Sequence, residues 1–128
     1  MTVDSEEVLA IVVQGDGAAL EAALEGGADV EARDPRGVSA LALAAGQGDL
    51  GAVELLLAHG AEVDRPSEAG NSALMAAAAR GHVQVVERLL AVGADPGHKN
   101  KWGMGANDWA QWPVNAAEIQ AVLSSRGG

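Results

Sequence analysis

Few side chains in this sequence have the type and spacing that chemistry requires. There are three histidines, His59, His82 and His98, and no cysteine. His59, Glu62 and Asp64 are near enough in the chain to offer an imidazole and two carboxylates to a metal ion. With 18 acids present, such spacing arises easily by chance. The absence of cysteine rules out a disulfide framework and a thiolate metal site. Glu6 and Glu7 are adjacent carboxylates, but they open a helix on exposed surface and make a poor hydrolytic pair. No glycine-rich phosphate loop leads from a strand into a helix, and neither G-x-S-x-G nor H-E-x-x-H occurs. The expectation is a protein with no enzymatic activity, no metal and no cofactor.

The elements that position these residues are repeats. The stretch from Asp34 to Arg65, DPRGVSALALAAGQGDLGAVELLLAHGAEVDR, recurs thirty-three residues later. That shift carries Gly37 onto Gly70 and then onto Gly103, and Ser39-Ala40-Leu41 onto Ser72-Ala73-Leu74. Leu56-Leu57 fall on Leu89-Leu90, and Gly60-Ala61 on Gly93-Ala94. Self-similarity at this period indicates stacked supersecondary units in place of one closed core. Extended in both directions, the register gives four units in a single domain over 1–128: 1–33, 34–66, 67–99 and 100–128. The outer two are degraded, as end caps with one neighbour tend to be.

In the first unit, Asp4 or Ser5 is placed to cap a helix whose apolar face is Val8, Ile11 and Val12. Gly15-Asp16-Gly17 breaks it. A second helix turns Leu20, Ala23 and Leu24 inward and ends at Gly26-Gly27. The middle units each begin with a turn, Asp34 to Gly37 and Ser67 to Gly70, followed by Ser39 or Ser72 as an N-cap. Their second helices carry Leu50, Val53, Leu56 and Leu57, then Val83, Val86, Leu89 and Leu90. In the last unit Asn107 or Asp108 is expected to cap a helix shortened by Trp112-Pro113. Trp109 aligns with Leu43 and Ala76 and is expected in the core. A final helix should cover Ala116 to Leu123, with Ser124 to Gly128 frayed.

This pattern resembles the ankyrin repeat, with its turn glycine, T-P-L-H-x-A-A segment, second helix and G-A-D-V-N loop. The resemblance implies an all-α solenoid of stacked helix-turn-helix units joined by β-turns. Two departures are visible. Ala40 and Ala73 stand where the family has proline, and Ala42 and Met75 where it has the motif histidine. Each should weaken its repeat by about 1 kcal/mol. His82 stands where the family commonly has histidine, so its expected role is structural. The resemblance also implies binding of another protein through a concave face made of turn tips and first helices. Carried onto this sequence, that face comprises Arg33, Arg36, Val38, Asn71, Arg80, Lys99, Lys101, Trp102, Met104 and Trp112, with Pro35, Pro66, Glu68 and Ala69 on the turns and Val13, Gln14, Gly46, Gln47 and Ala79 on the first helices alongside.

Charge sharpens that expectation. The net charge is −10, with 8 bases against 18 acids, which argues against nucleic acid or anionic membrane as a general partner. The longest early apolar run, Val8 to Val13, is too short to span a bilayer. Five of the eight bases nevertheless fall on the expected binding face, and Arg65 is adjacent. Glu21, Glu25, Asp49, Glu54, Glu87 and Glu118 fall on the second helices. A cytoplasmic monomer is expected, binding a protein that offers an acidic or mixed acidic and apolar surface to arginine and tryptophan. Its role would be that of an adaptor or regulator. The alternative is a dedicated inhibitor, such as an immunity-type protein that covers a toxic enzyme.

Overall fold

The computed structural model describes residues 3–111 and 115–127. Eight helices follow one another: α1 (Ser5–Gln14), α2 (Gly17–Glu25), α3 (Ala40–Gln47), α4 (Leu50–Ala58), α5 (Ala73–Ala79), α6 (Val83–Ala91), α7 (Ala106–Trp109) and α8 (Ala116–Gly127). The odd-numbered helices pack in series as one layer, and the even-numbered helices as a second layer behind it. The fold is an all-α repeat solenoid. Among the described residues there is no strand, only one antiparallel bridge between Arg33 and Ser39.

Local rules account for the helix ends. Asp4, Asp16, Ser39, Asp49 and Ser72 each accept the backbone N–H three residues on, which satisfies an orphan donor of the first turn. The last unit differs from expectation. α7 starts two residues earlier than a cap at Asn107 would allow, and three earlier than one at Asp108, with Gly105 as its N-cap. Asp108 sits inside the first turn and its carboxylate accepts the Gly105 N–H at 2.7 Å. α8 continues to Gly127, past the expected end at Leu123.

The interior is a thin column of small side chains. Val8 and Val12 of α1, Leu41, Ala44 and Ala45 of α3, and Leu74, Ala77 and Ala78 of α5 are fully buried. Leu20, Val53, Leu56, Val86, Leu89, Ile119 and Leu123 fill it from the second layer. Alanine lets neighbouring helices approach closely, and leucine and valine close the gaps.

Polar contacts then lock each unit to the next at a separation near one period. The Gln47 side-chain amide donates to the Val12 carbonyl at 2.9 Å, and His82 Nε2 donates to the Gly46 carbonyl at 3.0 Å. Asn115, at the position equivalent to His82, donates to the Gly81 carbonyl at 2.9 Å. His98 Nε2 donates to the Gly70 carbonyl at 2.8 Å. On the loops behind, Glu31 accepts the Glu62 N–H, and Arg65 lies 3.9 Å from carboxylate oxygens of both glutamates.

The turns are built on one polar position. Asp34 Oδ1 accepts the N–H groups of Arg36 and Val38, both at 2.9 Å. Asn100 Oδ1 accepts those of Trp102 and Met104 at 2.9 and 3.0 Å, and Ser67 Oγ accepts that of Asn71 at 3.3 Å. Burial alone would raise the Asp34 carboxyl pKa. The Val38 N–H, the Arg36 guanidinium and the Arg36 N–H outweigh that and hold it below the ordinary carboxylate value. A depressed folded-state pKa stabilises the protein above the unfolded value near ~3.9 and ceases to do so as pH falls through the folded value. Asp34→Asn keeps the turn geometry that Asn100 already achieves and removes only the charge. The expected result is lower stability than wild type at pH 7, with the two denaturation curves converging as pH drops below about 4.

Candidate functional site

The first-helix layer and the turn tips enclose a groove of about 400 Å³. Its floor is Ala42 and Leu43 from α3, Met75, Ala76 and Ala79 from α5, and Trp109 from α7. Its rim is Arg36 and Val38 from the first turn, Ser67 and Asn71 from the second, and Gln47 and Arg80 from the ends of α3 and α5. The floor is small-to-medium apolar because these helices must pack closely on their neighbours. The rim is polar because it is turn and helix end.

The electrostatics of the groove run against those of the chain. Of 18 acids, none lines it, whereas two of the 8 bases do. Arg36 lies 3.1 Å from Asp34, yet its side chain remains 79% exposed. Arg80 is exposed and makes no ion pair among the described residues. The acids of the second layer, Glu21, Glu25, Glu54, Glu87 and Glu118, are all exposed on the opposite side of the stack.

The expected binding residues separate into two groups. Arg36, Val38, Asn71 and Arg80 come together around the groove, with Gly46, Gln47 and Ala79 beside them. Arg33, Lys99, Lys101, Trp102 and Met104 do not line it. Arg33 is half-buried, and its guanidinium donates to the Pro66 carbonyl of the next unit. Lys99, Lys101 and Trp102 stand exposed at the last turn, Trp102 at 71%. Met104 is half-buried beside them. Trp112 lies outside the described residues. Arg65, expected next to this face, is instead held in the loops behind by Glu31 and Glu62.

Two residues play parts that the sequence did not suggest. Trp109, expected in the core, is half-buried and forms the end of the groove floor. Asn100 is buried, and besides setting the last turn it donates from Nδ2 to Asn71 Oδ1 at 2.9 Å. The signal for Asn100 was present: Asp34, Ser67 and Asn100 each lie three residues before a turn glycine, with a side-chain oxygen suited to turn N–H groups. Among the described residues no cluster of three or more His, Cys, Asp or Glu is placed to hold a metal ion. No helix there is long and apolar enough to cross a membrane.

A model of the ankyrin repeats, taken as three copies, matches residues 8–100. Comparison with curated proteins finds no match. The matched segment begins in α1, covers both clear middle units and ends at the buried Asn100 of the last turn. With well over half of its length matched and its helices stacked in two layers, this chain belongs to the ankyrin-repeat family, whose members generally act by binding other proteins and are typically not enzymes.

Proposed function

We propose that the chain is a protein-binding adaptor or regulator that receives an acidic, partly apolar segment of its partner in the groove over α3, α5 and α7. The observation that carries this reading is the composition of the groove: two arginines, an apolar floor ending in Trp109, and no carboxylate, in a chain of net charge −10. An acidic segment would find Arg36 and Arg80 on the rim and a place for one apolar side chain between them. A nucleic acid or anionic membrane would meet the dense negative field of the rest of the molecule. We place the protein in the cytoplasm as a monomer, working without catalysis, metal or cofactor.

The test is a titration. The full chain serves as bait in its native host, the partner recovered in stoichiometric amount is purified, and its affinity for variants is measured. Arg36→Glu combined with Arg80→Glu is expected to weaken binding by about thirtyfold or more, while helicity stays close to wild type and melting falls only by the small amount that loss of the exposed Arg36–Asp34 pair costs. Wild-type affinity in that double variant would place the partner elsewhere.

The exposed glutamates of α2, α4, α6 and α8 favour a second reading, a dedicated inhibitor that lays this acidic side over a basic enzyme active site. Tight one-to-one binding that abolishes the partner's activity, and survives the Arg36/Arg80 double reversal, would establish it.

A further inference from the structure

The turns form a backbone ladder whose two ends differ. The Glu68 N–H donates to the Arg36 carbonyl at 3.1 Å, and the Lys101 N–H to the Ala69 carbonyl at 3.0 Å. Donors therefore sit at one turn position, occupied by residues 35, 68 and 101, and acceptors at the next, occupied by residues 36, 69 and 102. At the first turn the donor position is Pro35, which has no N–H to give. At the last turn the acceptor is Trp102, and among the described residues no donor reaches its carbonyl. One end of the ladder is closed by sequence; among the described residues the other is open.

The open end also has the chemistry of a contact site. Its indole is exposed, while the Trp102 N–H is tied to the buried Asn100 side chain, so the turn is held in shape before anything binds. Lys101 and Lys99 are exposed beside it, and neither is in an ion pair among the described residues. Two unpaired cations next to a bare indole favour an occupant with carboxylates and an aliphatic or aromatic side chain.

We propose that this last turn is a second docking point, where an extended acidic segment of a protein partner continues the ladder by donating a backbone N–H to the Trp102 carbonyl and covers the indole with an apolar side chain. The proposal rests on the reading that the chain binds a protein, but on residues outside the groove. A second copy of this chain does not fit as occupant. Stacking turn on turn would bring Pro35 to the donor position, and proline cannot donate. Any free extended segment has its N–H groups available, as in other cases of strand addition to an exposed edge.

The test uses a display library of random dodecapeptides selected on the full chain, with counter-selection on Trp102→Ala and on Lys101→Glu. Peptides that survive should be rich in Asp and Glu around an apolar residue. They should lose about tenfold in affinity for either variant, and about as much when one backbone amide is N-methylated. Arg80→Glu should leave their affinity unchanged. If no peptide discriminates wild type from Trp102→Ala, or if none is weakened by N-methylation, the docking point does not exist. If the peptides respond to Arg80→Glu alone, the groove reading stands and this one falls. Self-association in sedimentation that Trp102→Ala abolishes would make the occupant a second copy and overturn the proposal.

Discussion

Gly70→Ala is expected to lower the unfolding free energy by about 2–4 kcal/mol, whereas Gly103→Ala should lower it by only about 1–2 kcal/mol. Both glycines occupy the same position of successive turns and both have left-handed backbone, with φ of 86° and 77°. Any L-residue meets the same local strain at either site. The surroundings differ. A Cβ on Gly70 would lie 3.0 Å from Asn100 Cα and 3.0 Å from the Lys101 nitrogen, both backbone atoms of the next turn. A Cβ on Gly103 would meet nothing within 4 Å. Relief at Gly70 requires the two turns to part, which strains the Lys101-to-Ala69 hydrogen bond and the Asn100-to-Asn71 contact. Chemical denaturation of the two variants side by side separates turn strain from turn stacking. Equal losses would mean that the turns are not coupled as tightly as their hydrogen bonds imply.

That pair also illustrates what the sequence made legible. Caps, turn glycines and the thirty-three-residue period act over a few residues, so Ser39, Ser72, Gly37, Gly70 and Gly103 could be placed by local rules alone. The period then carried positions from unit to unit, and so located Arg36, Val38, Asn71 and Arg80 on one side. Burial was harder. Trp109 aligns with Leu43 and Ala76, and that alignment holds, yet all three residues are half-buried and open onto the groove. The sequence of α3, ALALAAGQ, is apolar nearly all round, so helical periodicity does not say which alanine or leucine faces in. Arg33 stands apart from the groove for a different reason. Its partner is a backbone carbonyl in the following unit, and no residue type announces a carbonyl. The cap of α7 could have been found, since Gly105 occupies the position of Ser39 and Ser72. Asn107 and Asp108 have the side-chain chemistry of a cap, while the period points to a residue with no side chain at all.

Leu74→Ala is the other substitution expected to act strongly, costing about 3–5 kcal/mol. Leu74 is fully buried in α5, and α5 packs against α3 on one side and α7 on the other. A stack of repeats is held by interfaces between neighbours, so a cavity in an inner helix weakens two interfaces where a cavity in an end unit weakens one. Leu20 in α2 and Leu123 in α8 are equally buried but lie in the first and last units. Leu20→Ala and Leu123→Ala should therefore cost less, about 2–3 kcal/mol, for the same atoms removed. The alanine-rich surroundings strengthen the contrast. Ala44, Ala45, Ala77 and Ala78 have no flexible atoms with which to fill the space that a leucine vacates, so the cavity stays open. Hydrogen exchange gives a second readout. In Leu74→Ala the amides of α3, α5 and α7 should lose protection together, whereas in Leu123→Ala the loss should be confined to α6 and α8. Equal destabilisation by all three substitutions would show that the chain unfolds as one inseparable core, with position along the stack counting for nothing.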